Sequence, residues 1–199
     1  MEKGIEIVLQ QVEEALDRNL YYVALVTSLA LPDICAALDS SDGQTDGKRY
    51  ASWFDEWVVP RFNETSRSLL REFYENTPSL GLESVVAHPM DVKVGLTGDV
   101  CYKFRCSLLH QGSSQHPLSA FGRILLVVPS PANPPFCHCQ ANDAYLHDLR
   151  LFCQEITAGV RLWLSSVRGT EKFARNYSKF AALHPNGLAP YVGGSPVIG

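Results

Sequence analysis

A guanidinium and an imidazole five positions apart, Arg105 and His110 in TGDVCYKFRCSLLHQGSS, are the residues of this chain best suited to chemistry. A guanidinium grips a phosphate or carboxylate through two parallel N–H bonds, and an imidazole exchanges a proton near neutral pH. Together they could hold a phosphodiester and move a proton at it. The spacing predicts one helix of about four turns carrying both. Thr97 is placed to cap its start, Asp99 lies in the first turn where the helix dipole favours an acid, and Gly112 follows the end as a left-handed cap would. At about 100° per residue, Val100, Cys101, Phe104, Leu108 and Leu109 share a broad arc with Arg105. Lys103, Ser107 and His110 fall outside that arc. Arg105 is therefore expected toward the interior or a subunit interface, where an unpaired charge is costly and an acid, a phosphate or carbonyls must meet it. Asp33, Asp55 and Glu56 are the internal candidates. On an ideal helix the two side chains diverge by about 140°. They converge only if the last turn unwinds near Gly112 or if two chains complete the site together.

Arg, four residues, then His on a late helix resembles the Arg-X(4–6)-His motif of the HEPN superfamily. The segments YYVALVTSLALPDICAALDSSDG, KRYASWFDEWV, LTGDVCYKFRCSLLHQG and LHDLRLFCQEITAGVRLWL also resemble, in that order over about residues 20 to 168, a widespread bacterial family. The resemblance implies a helical bundle that dimerises, with Arg and His of both chains meeting in a cleft that cuts RNA without a metal or other cofactor. Carried over, Arg105 would bind the scissile phosphate and offset transition-state charge. His110 would move a proton to or from the ribose 2′-hydroxyl or the leaving oxygen. Tyr102, Asp33 and Asp55 complete the candidate site as binding residues. The implied partners are a second copy of the chain, RNA and a cognate antitoxin. The residue after the Arg is usually polar in active members and here is Cys106. That residue and the acidic net charge favour a rival reading, a non-catalytic HEPN-like dimer that binds a nucleotide or a partner protein. In the rival, Arg105 anchors the core against an acid and His110 caps the helix C-terminus. An open cleft shared by both residues would favour catalysis. An arginine sealed against a carboxylate, with the imidazole turned away, would favour the rival.

The elements around this helix follow from the rest of the sequence. With 199 residues and an ordinary apolar content, the chain suits one domain with a substantial core. The formal charge of −4 gives no broad basic surface, so any RNA site must be a local pocket. No run reaches the 18 or so unbroken apolar residues of a membrane span, and the acidic, amphipathic N-terminus does not read as a secretory signal. A cytoplasmic protein with reduced thiols is expected, without a membrane partner. The predicted fold is mainly α, a HEPN-like bundle over residues 1–184 with a small β-hairpin before the long C-terminal helix and an extended tail over 185–199. Helices are expected over 4–17, 20–38 (kinked or split at Pro32), 49–59, 63–76, the motif helix, a long helix to 167 capped by Asn142 or Asp143, and 171–183. Tyr50, Trp53, Phe54 and Trp57 share one face and read as core. Residues 77–96 read as loop with short turns, and 122–128 with 136–140 as the hairpin strands. Leu188, Tyr191, Val192 and Ile198 suggest that the tail packs on a neighbour.

Two further constellations bear on chemistry. Cys137, His138 and Cys139, with His147 and Cys153, invite a zinc reading. A C-x-C on a strand sends both thiols the same way, however, and no second pair follows, so buried thiols and no metal are expected. Cys106 lies four residues before His110 and beside a cation, as a nucleophile would, but no family signature accompanies it. No Walker, dinucleotide-binding, H-E-x-x-H or G-x-S-x-G motif occurs.

Overall fold

The computed structural model describes residues 3–76, 95–130 and 137–199. Among these, six helices of eleven residues or more and a short seventh surround one core, joined by a few short strands. The expected loop over 77–96 falls almost wholly outside the described residues.

Helix α1 (Lys3–Asp17) buries Ile5, Leu9, Val12 and Leu16, the stripe its periodicity predicts. Helix α2 (Tyr21–Asp39) runs unbroken with Pro32 inside it, contrary to a split. Proline removes one amide bond, but Leu29, Leu31, Cys35 and Ala36 around it are all buried, and that packing holds the helix. By length and apolar content α2 could cross a membrane, yet half of it is buried inside the protein. Its C-terminal carbonyls are capped from a distance: Asn176 Nδ2 donates to Leu38 and Ser40 at 3.0 and 2.8 Å.

Asp46 caps α3 (Gly47–Trp57) by accepting from the Arg49 amide. This helix sinks Tyr50, Trp53 and Phe54 into the core, as their shared face requires. Helix α4 (Val59–Asn76) follows at once, with Pro60 in its first turn where no amide donor is needed. The motif helix is α5 (Gly98–Gln111), and both of its expected ends are confirmed. The Thr97 side chain accepts from Val100, and Gly112 adopts φ 64°, ψ 22°.

The β region differs from the simple hairpin. Strand β1 (Arg123–Val127) pairs in parallel with β3 (Ala144–Asp148), and β2 (Cys139–Ala141) pairs antiparallel on the other side of β3, giving the order β1-β3-β2. Residues 142–143 are the turn of the true hairpin, with Asn142 in the left-handed region at φ 54°, so they do not cap the long helix. Leu146 therefore belongs to a strand. The cap of α6 (Leu149–Val167) is Asp148, whose Oδ1 accepts from Leu151 at 2.9 Å. Helix α6 is the central rod, with Phe152, Cys153, Ile156, Val160, Trp163 and Leu164 all buried. Trp163 meets Trp53 and Phe173 edge-on. Gly159 lets α6 close on α3, because a Cβ there would lie 2.8 Å from the Trp57 carbonyl. Ion pairs from Arg150 to Asp17, Arg161 to Glu13 and Arg168 to Glu6 tie α1 along α6.

Helix α7 (Glu171–Tyr177) is shorter than expected. The remaining tail doubles back on itself as two small antiparallel pairs, β4 (Leu183–His184) with β7 (Val197–Ile198) and β5 (Gly187–Leu188) with β6 (Val192–Gly193).

Candidate functional site

The site begins with what fixes α5. Gly98 sits on the backbone of α3, where an added Cβ would be 2.1 Å from the Ala51 carbonyl oxygen. The Gly98 amide donates to Asp55 Oδ1 at 2.6 Å. Asp55 is thus a second N-terminal cap of the motif helix, taking one of its unpaired amides. It is not the acid that meets Arg105. Glu56, the other α3 candidate, lines a separate polar recess with Asp39, Ser40 and Arg49.

Seated this way, α5 turns Val100, Cys101, Phe104 and Ser107 into the core, while Leu108 and Leu109 are only half-buried. The buried arc is therefore rotated from the expected one, and Arg105 stands at its margin. Its partner is Asp33, one residue after Pro32 on α2. Arg105 Nη2 lies 2.7 Å from Asp33 Oδ2, with side-chain exposures of 21% and 16%. The contact is an ion pair rather than a well-aligned hydrogen bond, and Arg105 Nε has no acceptor among the described residues. Burial pushes the Asp33 carboxyl above its usual range, and the Arg105 charge pulls it back down.

The imidazole does not face away. Arg105 Nη1 lies 3.3 Å from His110 Nε2. Helix α5 stays regular to Gln111, so the convergence needs no unwinding. Two long side chains reach toward each other around the outer face of the helix, which also carries Tyr102 and Cys106. Tyr102 hydrogen-bonds Cys106, and this contact, with burial second, raises its phenol pKa. Asp33, Tyr102, Arg105 and His110 thus form one cluster, partly open to water.

An apolar groove of about 520 Å³ lies along the same helix, lined by Phe104 and Leu108 together with Leu20, Tyr22, Val23 and Leu125. Tyr22 and Val23 are 81% and 56% exposed, which is unusual for large apolar side chains in one patch.

The chain matches no family model, no curated protein and no solved structure. The reading of its function therefore rests on these side chains.

A cluster that the sequence raises as a zinc site, and argues against on strand alternation, does gather. Strict alternation would have sent Cys137 and Cys139 to the same face. Instead β2 begins only at Cys139, and His138 takes the left-handed conformation at φ 51°, which breaks the alternation. Cys137, His138 and His147 then gather with one donor atom each, all within 4.8 Å of one another. Pairing brings the two histidines together: the Cys139–Leu146 register continues to His138 opposite His147. Cys153, also weighed with this group, lies outside the set and is fully buried.

Proposed function

We propose that the chain is a HEPN-like homodimer that cleaves RNA without a metal, with Arg105 holding the scissile phosphate and His110 transferring the proton. The contact of guanidinium and imidazole at 3.3 Å carries this reading, since it puts a phosphate binder and a proton carrier at one point on a partly open surface. Asp33 orients the guanidinium from the side and leaves Nη1 directed at His110. In the reaction the 2′-oxygen forms the new bond to phosphorus and the 5′-oxygen leaves. His110 takes the proton from the first or returns one to the second. Tyr102, at the edge of the cluster, is the side chain for stacking a flanking base. A second copy of the chain is the occupant we assign to the apolar groove, because Phe104 and Leu108 of the motif helix line it. Two copies joined there bring two Arg105–His110 pairs toward one seam.

A second reading is the non-catalytic dimer that binds a nucleotide or protein partner. The Asp33 carboxylate at 2.7 Å favours it, because that acid already occupies part of the arginine fork. Incubation of the chain with structured and single-stranded RNA in the presence of a chelator separates the two. Under the catalytic reading the wild-type chain cuts, and Arg105→Ala and His110→Ala each lose about 100-fold or more. Wild-type chain that leaves RNA intact, or variants that cut as well as it does, assign the cluster to the second reading.

A further inference from the structure

We propose that Cys137, His138 and His147 bind a single zinc ion at the junction of the β2–β3 hairpin and helix α4. Their donor atoms already lie within 4.8 Å of one another. Ligands sharing one tetrahedral zinc, at about 2.0–2.3 Å from it, sit roughly 3.3–3.6 Å apart, so side-chain movements of about 1 Å close the set.

Two features point to an ion rather than to ordinary packing. First, each imidazole has one nitrogen engaged and one buried nitrogen without a well-formed hydrogen bond. His147 is fully buried. Its Nδ1 accepts from the His138 amide at a long 3.3 Å, and its Nε2 has no partner among the described residues. His138 Nδ1 lies 2.5 Å from the Tyr145 hydroxyl, and its buried Nε2 makes no well-formed hydrogen bond, although the ring also interacts with the Phe62 backbone. Buried polar atoms without well-formed hydrogen bonds are costly and rare, and here two of them lie beside a thiol. Secondly, the Tyr145 contact is the kind of outer support that fixes a metal-binding imidazole in one orientation. Ser66, from α4, supports the sulfur in the same way at 2.8 Å.

Binding releases one proton, from the Cys137 thiol to solvent, as the sulfur–zinc bond forms. His147 keeps its single proton by moving it to Nδ1 when Nε2 coordinates, and the long amide contact is given up in exchange. One thiolate and two imidazoles suit zinc or its cobalt surrogate better than a hard cation such as magnesium. Three protein ligands leave a fourth position for water.

The test uses untagged chain, stripped with a chelator and titrated with cobalt(II) and, by calorimetry, with zinc(II). The expected result is one ion per chain, a thiolate-to-cobalt charge-transfer band, and the intense visible bands of tetrahedral cobalt. Cys137→Ser should abolish the charge-transfer band. His147→Gln and His138→Gln should weaken zinc by more than about 100-fold, the upper end for losing even an outer support. Cys106→Ser, on α5, should change neither. If His147→Gln does not fold, Cys137→Ser, on a half-buried loop residue, decides the matter alone. A wild-type chain without the charge-transfer band, or a band that survives Cys137→Ser, overturns the assignment.

Discussion

Replacing Arg105 with Met should destabilise the fold by about 2–3 kcal/mol, and replacing its partner as well should recover most of that loss. The estimate starts from the observed pair. Breaking a fully buried ion pair costs about 3–5 kcal/mol, because one charge is left desolvated and alone. Here the side chains retain 21% and 16% exposure, so water relieves part of the cost. Burial is the leading influence on Asp33 and already outweighs the help it receives from Arg105. Without the guanidinium the carboxylate keeps its desolvation and loses its compensation. Asp33→Asn alone should cost less, about 1–2 kcal/mol, because Arg105 keeps His110 beside it and can turn outward. The double variant Arg105→Met/Asp33→Asn removes both charges and should lie within about 1 kcal/mol of wild type. The coupling is then about 3 kcal/mol. In a chain of 199 residues, about 2–4 °C of melting temperature accompanies each kcal/mol, so the Arg105 variant should melt about 5–10 °C lower. Urea denaturation of the four proteins at pH 7 and pH 4.5 measures the cycle. The Arg105→Met penalty should shrink at the lower pH, since a carboxyl with a raised folded-state pKa binds its proton more readily folded than unfolded. Additivity of the two single changes within about 0.5 kcal/mol would refute the reasoning, as would a penalty independent of pH.

Three other changes follow from the same physics. Gly98→Ala drives a methyl into the Ala51 carbonyl and should cost more than about 2 kcal/mol in urea denaturation, despite the better helix propensity of alanine. Burial pushes the Cys101 thiol up to about 12 and the Cys153 thiol up to about 11. In the unfolded chain these thiols ionise near pH 9, whereas the folded chain keeps their protons. Stability should therefore be whole below pH 9 and fall by about 1.4 kcal/mol per pH unit for each thiol until the folded values are passed, as followed by circular dichroism in alkaline urea. Val23→Glu, on the exposed lip of the apolar groove, should leave melting of the monomer within about 0.5 kcal/mol of wild type but shift sedimentation from dimer to monomer. A wild-type chain that sediments as a monomer would remove the groove from the dimer reading.

Much of the helical framework was legible because its signals are local. Thr97, Asp99 and Gly112 mark the ends of α5 by capping chemistry that operates within a few residues. The stripe from Phe152 to Trp163 repeats at three and four, and α6 buries it as expected. The failures occur where a distant partner decides. Local spacing could not show that residues 144–148 pair with both β1 and β2, so the hairpin was placed on the wrong strands and the cap of α6 some five residues early. Proline chemistry argued for a break at Pro32, but the buried neighbours that hold α2 together come from the whole core. In the site, Asp33 was one of three acids that sequence could not rank. Asp55 is taken by the Gly98 amide and Glu56 faces a different recess; the first depends on how α3 lies against α5, the second on how α3 lies against the end of α2. The wheel gave the angle between Arg105 and His110 correctly as a backbone quantity. It could not register that their side chains are long enough to close that angle.

Asp148 is at once the last residue of β3 and the cap of α6, so strand passes into helix without a connecting loop. His147 therefore stands one residue from the first turn of the central rod, and a displacement of its imidazole is felt first at the Asp148 cap.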